Sequence, residues 1–228
     1  MLRINNLSGF SRGSLDAGSL SSVTSATFVG QLTDDGTITL PSGLSETDLI
    51  IYIENAVIEE GAPALAVPSG FTSCLNILGA TDDTRTVVSY KIAEPSDSSL
   101  GISDAMNGNT VAQGYFVYRA NAPINEVIAS TPETNVTSGN PAAVVIPVAG
   151  NNPPVIALGF YKCASGGSVS PRTMSPAKDT EISVSFDYSP NTVYLASKLF
   201  NSDLVDVSVD MDDEGGQNVI SGLYLQLT

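Results

Sequence analysis

The segment whose spacing comes nearest to acid chemistry runs from Asp206 to Glu214 and reads DVSVDMDDE. As a strand, period-2 alternation puts Asp206, Ser208, Asp210 and Asp212 on one face and Val205, Val207, Val209 and Met211 on the other. Neighbours two apart stand about 6.5 to 7 Å from each other, at the low edge of the carboxylate separation an inverting glycosidase uses. A glycosidase built on Asp206, Asp210 or Asp212 is therefore one expectation. Against it, no aromatic platform for a sugar is interleaved with the acids, and a half-buried strand shows water a polar face for structural reasons alone.

Asp210, Asp212 and Glu214 also begin like a calcium loop. The twelfth position from Asp210 is Ser221, where a bidentate glutamate is required, so no metal is expected and these three are the nearest set of oxygen ligands. A second group, Tyr115, Phe116 and Tyr118, could form a ligand platform. Alternation separates Tyr115, Val117 and Arg119 from Phe116 and Tyr118, one set for the core and one for a partly covered face, which leaves Tyr115 and Tyr118 as candidate outer-face contacts.

Other chemistries are excluded by residue type. The chain has no histidine, which removes imidazole bases and histidine-ligated metals. Lys91, Lys162 and Lys198 fall in strand patterns without a serine motif, and Ser165-Gly166-Gly167-Ser168 lacks the lysine and helix of a phosphate loop. Nine basic residues against 24 acidic ones give a net charge of -15, which repels nucleic acid and anionic membranes. Cys74 and Cys163 are too few for a disulfide framework and read as buried thiols, or one bridge if the fold joins them. No apolar run suits a secretion signal or a membrane span, so a soluble protein made in the cytoplasm is expected, with no cofactor.

The elements that must position these residues are strands. At 228 residues, 42% hydrophobic and 14% charged, the chain can bury a large core while covering its surface with hydroxyl and amide groups. Strand patterns cover Thr37 to Leu40, Asp48 to Ile53, Thr86 to Ile92, Gly114 to Arg119, Ala143 to Pro147, Val155 to Lys162, Glu181 to Asp187, Thr192 to Leu199, Leu204 to Met211 and Gly222 to Leu227. Turns at Asp35-Gly36, Pro41-Ser42-Gly43, Asn107-Gly108, Ser138 to Pro141 and Gly150 to Pro154 separate them. Long helices are not expected; only Ser45 to Asp48 and Ser103 to Met106 could hold a helical turn. About ten short strands without crossovers imply an all-β, antiparallel, jelly-roll-like sandwich.

An internal echo joins Gly108 to Val117 with Gly216 to Leu225 at an offset of 108. Shorter echoes link Thr39-Leu40-Pro41 with Val145-Ile146-Pro147 and Ser89-Tyr90 with Ser185-Phe186, at offsets of 106 and 96. The only polar stretch fit for a linker, Thr131 to Pro141, is short. The expected organisation is an N-terminal extended arm over 1–24 and one sandwich over 25–228, in which each half contributes strands to both sheets.

Taken in order, several motifs resemble a family of virion proteins from tailed bacteriophages. They are Asn6 to Gly13 with its Gly9-Phe10, Leu40-Pro41-Ser42-Gly43 before Asp48-Leu49-Ile50, Pro68-Ser69-Gly70-Phe71-Thr72, Ser89-Tyr90-Lys91 and Tyr118-Arg119-Ala120. Phe71 stands where that pattern has tryptophan, and Ala120 where it has glycine.

The resemblance implies a non-enzymatic accessory component of the virion, assembled in the host cytoplasm, with a jelly-roll-like fold and no catalytic residues. A tail tip, baseplate or fibre-attachment component leads; a capsid decoration protein and a lectin-like module for host surface glycans are the alternatives. The partners would be other virion proteins and copies of itself. The arm, with Ile4, Leu7 and Phe10, is expected to order by docking on a neighbour. Phe71, set by Pro68 and Gly70, is expected to turn inward as a core plug.

Overall fold

The computed structural model describes residues 22–34, 38–57, 67–78, 84–100, 111–163, 172–184, 192–212 and 217–228. No helix occurs among them; the protein is all-β and antiparallel. In the first half, strands β1 (Ala26–Asp34), β7 (Val111–Ala120), β3 (Asp48–Val57), β5 (Thr84–Ile92) and β4 (Thr72–Leu78) form one sheet in that spatial order. Over it lies a two-stranded ladder of β2 (Ile38–Thr39) and β6 (Ser99–Leu100).

The second half repeats the plan. Strands β13 (Thr180–Val184), β14 (Thr192–Phe200), β11 (Val155–Cys163) and β16 (Gln217–Leu227) pair in that order, and β16 then takes β8 (Val127–Ala129) and β9 (Glu133–Ser138) on its far side. Its outer sheet is β10 (Val144–Ile146), β15 (Val207–Met211) and β12 (Arg172–Ser175). In each half the order is compatible with a jelly roll.

The two large sheets face each other across a central core that takes Ile51, Leu75, Val88, Phe116 and Tyr118 from the first half and Leu158, Phe160, Ile182, Leu195 and Leu225 from the second. Two outer clusters complete the packing. One puts Ile38 and Leu40 over Ile50, Tyr52, Tyr115 and Val117; the other puts Ile146, Val207, Val209 and Met211 over Val155, Ala157 and Tyr161. Four layers thus cover both faces of β3, β7, β11 and β16. Burial on two faces is why DLIIYI and VIALGFYK read as nearly continuous apolar runs instead of alternating ones.

Register and side-chain facing fix the repeat at an offset of 107. Ile53 pairs with Val88 and Gly114, while Phe160 pairs with Leu195 and Ser221, and each second residue is numbered 107 above its mate. The same offset carries Leu75 and Ile77 of β4 to Ile182 and Val184 of β13, all four in the central core. The sequence echo at 108 is one residue out. It would equate Phe116, which faces the central core, with Tyr224, which faces the outer cluster. Tyr90 has Ser197 as its mate on β14, so the echo with Ser185-Phe186 does not mark the repeat, and 185–191 lie outside the described residues.

The pairings correct further expectations. Each half builds its own sheets and does not share strands with both. Thr131 to Pro141, too short for a linker by its sequence, holds β9 on β16. The halves join through 121–126, where Asn125 and Glu126 donate to the Thr228 carbonyl and Ile124 N donates to Glu46 O. Val23, assigned to the arm, is buried in the central core.

All ten strand patterns correspond to observed strands, and β1, β4, β6, β8, β9 and β12 add to them. The Pro68 corner is a turn in which Phe71 N donates to Pro68 O at 3.0 Å and Gly70 has φ 81°. Phe71 is half-buried, not the full plug expected; its ring leans on Tyr52 with centroids 5.9 Å apart.

Candidate functional site

The acidic strand is placed by β15, the middle strand of the second outer sheet. Val207, Val209 and Met211 turn into the outer core and Asp210 faces out, as alternation requires. Its neighbours are engaged in holding loops. Asp206, just before the strand, accepts from Ala149 N at 2.9 Å, and Asp212 accepts from Asn140 Nδ2 at 2.7 Å. Asp210 sits opposite Thr173 of β12. Glu214 lies outside the described residues, among which no cluster of three metal-ligating side chains forms.

The tyrosine platform is overturned. Tyr115 is 4% exposed and Tyr118 fully buried, because the β2–β6 ladder covers one face of β7 and the second half covers the other. Tyr115 donates to Thr39 O at 3.2 Å, and Tyr118 is hydrogen-bonded to Ser197 across the central layer. Burial pushes the acidity of both phenols away from physiological pH. Ile4, Leu7 and Phe10 lie outside the described residues.

Cys74 carries a free thiol on β4. Its Sγ lies 3.4 Å from Val88 O, and burial pushes its pKa up to about 12, which leaves almost no thiolate to act as a nucleophile.

Five of the described cations are spent on structure. Arg119 grips the fully buried Asp48 with Nε to Oδ1 at 2.7 Å and Nη2 to Oδ2 at 3.0 Å. Lys91 pairs with Asp97, Lys198 with Asp179, and Arg172 and Lys178 with Glu181. Burial alone would raise the Glu181 pKa, but hydrogen bonds and charge from Arg172 and Lys178 outweigh it and hold the carboxyl below its ordinary value. The Arg172 guanidinium also lies 3.4 Å from the centroid of the Tyr194 ring.

The open surface that the fold does create is a seam between the two large sheets. A groove of about 450 Å³ is lined by Ser73, Cys74, Leu75, Asn76, Ile77, Pro132 and Thr134, where β4 faces β9. A second, of about 320 Å³, lies between Thr72, Tyr90, Lys91 and Val127. The repeat explains why this seam is open and its counterpart closed. Between β1 and β13, Gln31 Nε2 donates to Glu181 O at 3.4 Å and Thr180 Oγ1 donates to Gln31 Oε1.

Ser73 pairs with Ser89 and Thr72 with Tyr90, so beyond the bulge at Cys74 the register puts Ser73 at the position of Glu181 and Thr72 at that of Thr180. Leu32 pairs with Tyr115 and Glu133 with Gly222, so Pro132 occupies the position of Gln31. Proline has no side-chain donor or acceptor, and the clasp is missing. These groove residues carry no sequence motif, because an edge strand beside a proline kink looks like loop. No protein-family model, curated protein or solved structure matches this chain.

Proposed function

We propose that the protein is a non-enzymatic structural component of a tailed-bacteriophage virion, a tail tip, baseplate or fibre-attachment part, with capsid decoration as the alternative placement. The observation that carries this reading is the use to which the charged side chains are put. Asp48, Glu181, Asp179 and Asp97 bind Arg119, Arg172 with Lys178, Lys198 and Lys91 as internal ties, in a scaffold of two fused sandwiches. Such a scaffold supports a role in which shape and surface matter, and the order of motifs in the sequence supports the virion as its setting.

The glycan-binding alternative loses its aromatic support with the burial of Tyr115 and Tyr118. The glycosidase expectation loses Asp206 and Asp212 to hydrogen bonds that hold loops.

The leading segment supplies the test. Deletion of Met1 to Phe10 removes no described residue of the sandwich, and the truncated chain is expected to fold, as circular dichroism would check. It is expected to be left out of particles when it replaces the full chain in an infected host. Incorporation at the normal level would sink the proposed role of the arm in assembly.

A further inference from the structure

We propose that Glu54 holds a proton inside the folded protein and acts as a pH-sensitive latch for the cover of the first half. Glu54 is 1% exposed and lies between Val87 of β5 and Gln113 of β7, on the face of β3 that carries Ile50 and Tyr52 under the β2–β6 ladder. Tyr52 Oη stands 2.8 Å from Glu54 Oε2 and 2.6 Å from Gln113 Oε1. Burial raises the Tyr52 pKa, so the hydroxyl keeps its single hydrogen, which can serve only one of these oxygens. With a proton on Glu54 the groups form one line of hydrogen bonds: the carboxylic acid donates to Tyr52 Oη, and Tyr52 donates to Gln113 Oε1. With Glu54 ionised, the tyrosine hydrogen goes to the carboxylate and two oxygens face each other at 2.6 Å without one. Turning the Gln113 amide around does not remove the conflict, because 2.6 Å is an O–H···O length and short for N–H···O. It would also bury the amide oxygen in place of Nε2, which has no partner as it stands.

The charged and titratable groups described on that face leave the proton its role. Tyr115 of β7 donates to Thr39 O, Lys91 of β5 is tied to Asp97, and Arg119 grips Asp48 at the far end of β3. Arg85 of β5 is two residues from Val87, yet its Nε is buried without a partner, which a carboxylate at Glu54 would be placed to supply. On β1 the register position beside Gln113 belongs to a second acid, Asp34. The ladder pairs Ile38 and Thr39 with Leu100 and Ser99, and β4 reads TSCLNIL; neither brings a charge. A carboxyl buried in such a layer is favoured in its neutral form.

The repeat shows that the fold plan does not require an acid at this place. At the offset of 107 the row of Val87, Glu54 and Gln113 becomes Tyr194, Tyr161 and Ile220, and Tyr52 becomes Gly159. Tyr161 satisfies its hydroxyl on Thr173 O at 2.8 Å. The buried carboxyl therefore belongs to the first half alone. Tyr52, its neighbour, pairs with Tyr115, packs with Ile38 and Leu40 of the cover, and carries the Phe71 ring. When the Glu54 O–H bond breaks and the proton leaves for solvent, the line of hydrogen bonds is lost and a charge enters this layer. The cover is then held more weakly as pH rises.

An unfolded glutamate titrates near about 4.3, and the folded value of Glu54 is raised above it. Its contribution to stability is thus complete below about 4.3 and is lost as pH rises through the folded value, at about tenfold in the folding constant per pH unit between the two. Urea unfolding of the full chain and of Glu54→Gln between pH 5 and pH 7 tests this, since glutamine offers a donor at every pH. The ratio of wild-type to variant folding constants is expected to fall by about tenfold or more over that range. Infrared spectroscopy of the folded protein at pH 6 is expected to show the carbonyl band of a protonated carboxylic acid that the variant lacks. If Glu54→Gln does not fold, the band in the wild-type chain decides alone. A ratio that stays constant with pH, or a wild-type spectrum without that band, overturns the proposal.

Discussion

Single side chains in this protein are read correctly only when both covers of a strand are known. Tyr115 and Tyr118 alternate as strand residues should, yet neither reaches solvent, since ladder and second half close the two faces of β7. Alternation tells which residues share a face and not whether that face is wet. Asp48 shows the same limit. In sequence it is the polar first residue of a strand; in the structure it is a fully buried carboxylate held by Arg119 and by Ser45 N at 3.0 Å. Arg119→Ala leaves that charge buried without its counterion. The expected loss is about 2 to 4 kcal/mol in urea unfolding, towards the low end for buried pairs because the guanidinium is partly exposed. A loss under about 1 kcal/mol would show that Asp48 finds other partners.

At the scale of elements, strands with clean turns and continuous apolar runs were legible, and those with interruptions were not. β1 contains Gly30 and a register shift between Phe28 and Gly30, and β4 has one between Ser73 and Leu75. Each bulge inserts a residue that destroys period-2 alternation. β9, with sequence ETNVTS, has no apolar residue except Val136 and reads as linker until β16 is there to pair with it. The repeat was visible but slipped by one residue, because glycines at 114 and 222 match in sequence while their side-chain faces do not.

Gly222 instead stands in for Tyr115, and Gly159 for Tyr52. In the first half Tyr52 and Tyr115 pair directly and fill the space under a small ladder. In the second, Gly159 and Gly222 pair directly and let β10 and β15 settle close, with an added Cβ on Gly222 only 2.5 Å from Ile146 Cγ1. Gly222→Ala therefore forces Ile146 and its strand outward. It is expected to cost roughly 1 to 3 kcal/mol, measured by thermal or denaturant unfolding; a neutral result would mean that the outer sheet yields freely.

For the whole molecule, the decisive feature is that neither half has a complete interior. The inner faces of both large sheets meet in one core, and the junction at 121–126 is hydrogen-bonded to Thr228 on one side and Glu46 on the other. Unfolding one half would expose the inner face of the other. Calorimetry is expected to show a single transition with equal calorimetric and van't Hoff enthalpies. Two resolved transitions would mean that the central layer is too weak to couple the halves. The all-β, antiparallel class could be read from the chain, whereas the face-to-face doubling could not, since it depends on long-range packing that no local pattern records.

The proposed role as a virion part is tested most directly by quantitative mass spectrometry of purified phage particles from the host that makes this protein. A constant, multi-copy ratio to the major structural proteins is the expected result. Particles that are complete and infectious without this chain in them would contradict it.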